Sequence, residues 1–257
     1  MPAGTGRAAL MRLRIGGCGM SSFDSFAFCP TLDNILAQGH AVGQSGQIVA
    51  LGALSTKRNL AVLREFHLTT GATRTLEVGL FCGGSCLVFT QTHHDLGHPP
   101  SGQHVAIDRW QNGRIDGAGL AAVRQAGLTP YLDFREELSS DALPRLIREE
   151  RRFEIIYVDG SHMFGDAFVD VYYCGRLLET GGVMFLDDCA TPDLQKTVRY
   201  MQRNLGHCLR EIDLLPFQRG RNALLYKAAR ATGRLQLRAF EKIAPQEWPE
   251  DYRFRNF

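Results

Sequence analysis

One stretch constrains this chain more than any other: Arg74-Thr-Leu-Glu-Val-Gly-Leu-Phe-Cys-Gly-Gly-Ser85. Leu76 and Val78 read as part of a buried strand, and Cys86-Leu-Val-Phe89 restarts an apolar helical pattern. Between them lies a turn carrying Gly79, Gly83, Gly84 and Ser85. Strand, glycine turn and helix N-terminus together bring bare backbone N–H groups close to a ligand, because glycine has no Cβ to hold it away. The spacing excludes two common ligand loops. A dinucleotide turn needs Gly-x-Gly-x-x-Gly, and here three residues separate Gly79 from Gly83. A phosphate loop needs Gly-Lys-Ser/Thr, and the turn has no such triplet. Glu77, set before the first glycine, suits a cationic ligand better than a pyrophosphate.

The rest of the chain repeats the alternation. Apolar runs at His104–Asp108, Tyr131–Phe134, Phe153–Asp159 and Val183–Asp187 read as strands, with helical patterns at 117–126, 141–152, 164–178 and 192–205 between and after them. Strand–helix alternation over residues 74–200 argues a doubly wound α/β fold with a mostly parallel sheet of seven strands. Segments 208–215 and 222–227, around Arg219-Gly220, suggest a closing antiparallel C-terminal hairpin. Gly181-Gly182 is expected to stop the preceding helix. The reading divides the chain into a lead-in at 1–30, a domain at 31–228 with an N-terminal helical cover, and a tail at 229–257. Ser55 or Thr56 would cap a helix running through Leu60, Leu63 and Phe66. Met11 and Met20 compete with Met1 as the biological start.

Composition excludes several functions. Net charge is +2, and no basic block with interleaved aromatics exists, which argues against nucleic acid. No run of about 18 apolar residues exists, so no membrane span is expected. Seven scattered cysteines without a Cys-x-x-Cys pair fit reduced, mostly buried thiols in a cytoplasmic protein. Cys82 and Cys86 read as small core residues, and His93, His94 and His98 as members of a Pro/Gly loop without a helical frame, which disfavours a zinc site.

In an open parallel sheet, ligands bind at the carboxyl ends of the strands. There the chain offers Glu77 and Gly79, then Asp108, then Asp133, then Asp159-Gly-Ser-His162, then Asp187-Asp188. Asp108 can accept both hydroxyls of a ribose, and Asp133 would lie beside an adenine; both could instead cap the helices that follow. Asp159, Asp187 and Asp188 would repel one another unless a proton or cation sat among them, and hard oxygen ligands suit Mg²⁺, Mn²⁺ or Ca²⁺. His162 is suited to take a proton from a hydroxyl, or is a capping or surface histidine.

Five segments together resemble the class I S-adenosylmethionine-dependent methyltransferases. They are Thr75–Ser85, His104–Gln111, Gly117–Gly127, Tyr157-Val-Asp-Gly-Ser-His162 and Gly181-Gly-Val-Met-Phe-Leu-Asp-Asp188. The last two resemble the branch that includes macrocin-type O-methyltransferases and cephalosporin-hydroxylase-like proteins. The resemblance implies a Rossmann-like methyltransferase fold and S-adenosylmethionine over Glu77, Gly79, Gly83 and Ser85, with its ribose on Asp108 and Asp133 nearby. It also implies Mg²⁺ on Asp159, Asp187 and Asp188, with His162 as general base beside Asp159. The acceptor would be a small hydroxylated molecule, a sugar or natural product. Asp187-Asp188 departs from the Glu-Asp of some metal-using relatives. A metal-independent methyltransferase and a non-catalytic cofactor-binding protein of the same fold are the alternatives. Amphipathic segments outside 74–227 would make a homodimer interface or close the core.

Overall fold

The computed structural model describes residues 26–52 and 54–257, so the candidate start sites and most of the lead-in lie outside the described residues. The elements in chain order are α1 (Pro30–Gln38), β1 (His40–Val42), β2 (Ile48–Ala50), α2 (Lys57–Thr70), β3 (Thr75–Val78) and α3 (Gly84–Asp95). Then come β4 (His104–Ile107), α4 (Ala118–Gln125), β5 (Leu132–Arg135), α5 (Ser139–Arg148), β6 (Phe153–Val158) and α6 (Phe164–Leu177). The last are β7 (Leu178–Leu186), α7 (Pro192–Asn204), β8 (Leu209–Ile212), α8 (Gly220–Ala231) and β9 (Arg238–Lys242).

Seven strands form one sheet in the order β5-β4-β3-β6-β7-β9-β8. The first five are parallel, and β9 runs antiparallel to both β7 and β8. Strand order reverses at β3, so a crevice opens between β3 and β6 at their carboxyl ends, the ligand position of such sheets. The helices cover both faces. Leu76, Val78, Ile156 and Val158 pack with α5, α6 and α7, whereas Ile155 and Tyr157 pack with α1, α2, α3 and α4. This two-residue alternation decides which side each polar strand residue faces. Phe26 and Cys29 are buried in the second of these cores, so the end of the expected lead-in belongs to the packed domain.

The carboxyl end of the chain differs from the sequence expectation. Residues 222–227 are helical, inside α8, and the partner of β8 is β9. The apolar run Ala223-Leu-Leu-Tyr226 is too short for periodicity to tell a helix turn from a strand. The hairpin exists, but its second strand lies in the segment read as a tail, so the domain runs past 228. Gly181 and Gly182 lie within β7, not at a helix stop; the register shifts between Phe153 and Ile155 of its partner strand. The six described cysteines are free and buried. Among the described residues no helix is long and apolar enough to cross a membrane.

Candidate functional site

The glycine turn is built as its spacing demands. Gly79 has φ +95° and Gly83 has φ +82°, both in the region open to glycine. A Cβ on Gly79 would overlap the backbone carbonyl of Asp159, so this glycine lets β3 and β6 close up at their ends. Gly83 is the N-cap of α3, and the helix has no side-chain cap. The first N–H groups of α3, from Gly84 and Ser85, therefore have no intrahelical partner and point toward whatever lies over the turn. Ser85 is buried beside them. The Leu54 side chain and the backbone of Gly119 pack against Gly84 and Gly83.

Asp108 sits at the end of β4 and staples this turn. Its Oδ2 accepts from the Leu80 and Phe81 N–H groups at 3.1 and 2.8 Å and from Gln111 Nε2 at 3.3 Å, and its Oδ1 accepts from Trp110 N–H at 2.7 Å. The carboxylate is thus at the expected edge, and most of its accepting capacity shapes the loop. Gln111 adds a bond to the Phe81 carbonyl at 2.8 Å.

Two expected cofactor residues are not at that edge. Glu77 alternates onto the α3 face of the sheet and is wholly buried with Cys86 and His104. Its Oε1 lies 3.2 Å from His104 Nε2, without hydrogen-bond alignment. Asp133 stands opposite Val105, in the first half of β5, where Arg135 and Arg151 hold it at 3.0 to 3.2 Å. The strand continues beyond it, so the carboxylate at its carboxyl end is Glu136, which accepts from the Asn112 N–H at 2.8 Å.

The ends of β6 and β7 bring Asp159, His162, Asp187 and Asp188 together. Asp188 has φ +52°, which turns its side chain back toward the β6 loop. His162 Nε2 meets Asp188 Oδ2 at 2.7 Å, and Gln236 Nε2 donates to Asp188 Oδ1. One ligand atom each from Asp159, His162 and Asp188 lies within 4.8 Å of the others. Asp187 is not in that group. Its oxygens accept from Asn59 Nδ2 at 2.9 and 3.1 Å, from the Asp188 N–H at 2.8 Å and from the Tyr157 hydroxyl.

Ser55, Asn59, Tyr157 and Gln236 complete the site and were not singled out for it from sequence. Ser55 Oγ lies 2.8 Å from Asp159 Oδ2 and 2.7 Å from the Tyr157 hydroxyl, which itself lies 3.0 Å from Asp159. Thr56, not Ser55, is the helix cap, accepting from the Asn59 N–H. Tyr157 had a legible signal: it is two residues before Asp159, hence on the same strand face. Burial pushes Asp159 well above the usual carboxylate range, and repulsion from Asp187 adds to it. Burial also raises Asp187. Burial and the two carboxylates push the Tyr157 phenol up, so it remains a donor. Four close oxygen contacts are shared by two hydroxyl protons, so a further proton or a cation suits Asp159. A small crevice lined by Asp159, Gly160, His162, Ala167, Asp187 and Leu194 opens here.

Residues 76–189 match a family model described as a methyltransferase domain. The chain is 32% identical over 123 residues to tricin synthase 2 of Oryza sativa subsp. japonica, covering 46% of this chain and 39% of that protein. It is 30% identical over 145 residues to the caffeoyl-CoA O-methyltransferase of Medicago sativa, covering 50% of this chain and 53% of that protein. The chain thus spans about half the length of the curated relatives it matches, or less. The fold is that of an O-methyltransferase from Bacillus cereus solved with SAH, at TM-score 0.57, 16% identity, and coverage of 71% and 82% of the two chains. It is also that of the O-methyltransferase TomG from Streptomyces achromogenes solved with SAM, at TM-score 0.59, 16% identity, and coverage of 86% and 91%.

Proposed function

We propose that this chain, whose residues 76–189 match a methyltransferase-domain model, methylates a hydroxyl of a small acceptor, a sugar or natural product, using S-adenosylmethionine. The observation that carries the proposal is the His162–Asp188 pair at 2.7 Å, set at the strand ends beside the glycine turn. The donor set fits the cofactor: an uncapped α3 N-terminus at Gly84 and Ser85 for a carboxylate, and Asp108 for hydroxyls. When bound, S-adenosylmethionine supplies a sulfonium methyl group that is already reactive toward an oxygen nucleophile.

What the chain's own residues add is positioning and proton removal. In its neutral form His162 donates Nε2–H to Asp188, which leaves the lone pair on Nδ1. Nδ1 then takes the acceptor's hydroxyl proton, and Asp188 stabilises the imidazolium that results. Gln236 and the turned backbone of Asp188 hold that carboxylate in place. Ser55, Tyr157 and Asn59 fix Asp159 and Asp187 behind it.

His162→Gln and Asp188→Asn are expected to lower turnover by about 10²-fold or more. Both should keep S-adenosylhomocysteine affinity within a few-fold of the parent by titration calorimetry. The reading fails if both variants turn over labelled methyl donor like the parent, or if the parent binds no S-adenosylhomocysteine.

A second reading rests on the grouping of Asp159, His162 and Asp188 within 4.8 Å and on the raised Asp159. These three side chains would hold a divalent cation, Mg²⁺ or Mn²⁺, with Asp187 behind them. Such an ion, when bound, lowers the pKa of a ligated hydroxyl. Chelator would then abolish turnover and added Mg²⁺ or Mn²⁺ would restore it, whereas the histidine-base reading expects turnover to survive chelation.

A further inference from the structure

At the amino ends of β3 and β4, away from the carboxylates, three imidazoles converge. His67 is in the last turns of α2, His93 in the last turn of α3, and His98 in the turn that follows. The Pro/Gly-rich sequence suggests a loop without a helical frame at His93, but α3 extends to Asp95 and carries His93 inward, wholly buried. One ring nitrogen from each of the three lies within 4.8 Å of the others.

The other hydrogen bonds identify those nitrogens. His67 Nε2 meets the Ala72 carbonyl at 2.8 Å; a carbonyl only accepts, so Nε2 carries the hydrogen and Nδ1 is a bare lone pair. That Nδ1 is buried and has no hydrogen-bond partner among the described residues, a costly state for a polar atom. His93 Nε2 meets the Thr75 hydroxyl at 2.9 Å, and the same hydroxyl meets His104 Nδ1 at 2.8 Å. This leaves His93 Nδ1 facing His98 Nδ1 at 2.8 Å. His67 and His93 pack edge to face with centroids 4.5 Å apart. Burial lowers His93 to about 2 and His67 to about 4, so both rings are neutral, the form that ligates metals.

We infer that His67, His93 and His98 form a second site, one for a borderline transition ion such as Zn²⁺, ligated through three Nδ1 atoms. Three imidazoles without a carboxylate suit Zn²⁺, Ni²⁺ or Cu²⁺ and disfavour Mg²⁺ or Ca²⁺. Ala72 and Thr75 act as the outer partners that fix ring orientation in such sites. Tetrahedral zinc, with bonds of about 2.0 Å, needs its nitrogens about 3.3 Å apart. His98 is only half-buried and follows Gly97 at φ +70°, so it supplies the small movement and leaves the fourth position toward solvent. The ion would clamp the end of α2 to the end of α3. The site is independent of the proposed methyl transfer.

The test is calorimetric titration of the chelator-stripped, full-length protein with Zn²⁺ in an Asp188→Ala background, which weakens the carboxylate site. One Zn²⁺ equivalent is expected there, with at least a tenfold loss of affinity on adding His98→Ala or His67→Gln. Zn²⁺ should raise the melting temperature of the Asp188→Ala protein and not that of its His98→Ala derivative. Because His98 is half-buried, its replacement spares the core, and far-UV circular dichroism checks this. Co²⁺ should give the visible bands of a tetrahedral site, lost with His98. Equal Zn²⁺ affinity with and without His98, or no Zn²⁺ equivalent in the Asp188→Ala protein, overturns the inference.

Discussion

Asp108 and Asp170 are both buried carboxylates near the strand ends, and their surroundings treat them in opposite ways. Asp108 accepts from three backbone N–H groups and an amide. Asp170, on α6, has neither oxygen in an aligned hydrogen bond, and burial lifts it from 3.8 to about 6 despite the nearby Ser139 hydroxyl. A carboxyl raised in the folded state contributes stability below its unfolded pKa and loses it as pH rises through the folded value. Ionised Asp170 therefore costs up to roughly 3 kcal/mol above about pH 6. Asp170→Asn, which mimics the protonated form, should stabilise the protein by about 2–3 kcal/mol at pH 8 and by almost nothing below pH 4, read from urea unfolding. At this scale the sequence is legible where a residue's own chemistry decides. Gly79 and Gly83 could be read from spacing because only glycine accepts their φ and the close approach of Asp159 and Gly119. Glu77 and Asp133 could not, because a single step of strand parity or length moves a carboxylate from the ligand edge into the core or an ion pair.

The elements from β3 to α7 follow their hydrophobic periods, and that is why the site-bearing half of the fold could be read in advance. The carboxyl end could not, because β9 has little to mark it. Arg238-Ala-Phe-Glu-Lys242 contains three charges, yet Phe240 and Lys242 are both buried. Lys242 survives there because its Nζ donates to the carbonyls of Gly175 and Leu178 at 2.8 and 2.6 Å, at the end of α6. β9 fills the place between β7 and β8, pairing with both. A chain ended at residue 228 should therefore fail to fold, exposing the β7 edge and the buried row of Met184 and Leu186, and should be recovered as aggregate. A soluble truncated protein with the parent's melting temperature would show that β9 is dispensable.

Across the whole molecule, α2 links two places that the sheet keeps apart. Ser55, just before its cap, and Asn59, in its first turn, meet Asp159 and Asp187, and its last turns carry His67 into the imidazole cluster. Between those ends Leu60, Leu63 and Phe66 are buried against the sheet, with Phe66 packed edge-on to Phe185 of β7 at 5.0 Å. A helix held this way fixes where Ser55 and Asn59 meet the two carboxylates. Asn59 is the contact that tests this, since its amide is the side-chain donor to both oxygens of a carboxylate only 4% exposed. Asn59→Ala leaves Asp187 short of two bonds and should cost about 1–3 kcal/mol. If α2 also positions the site, turnover should fall by more than the small loss of folded protein explains, with S-adenosylhomocysteine affinity little changed. Ser55→Ala should show a smaller loss of stability, because Tyr157 still donates to the carboxylate pair. Urea unfolding with single-turnover methyl transfer on both variants separates the two effects. Parental turnover in a destabilised Asn59→Ala protein would reduce α2 to a cover over the core; loss of turnover in a folded one would make its docking part of the chemistry.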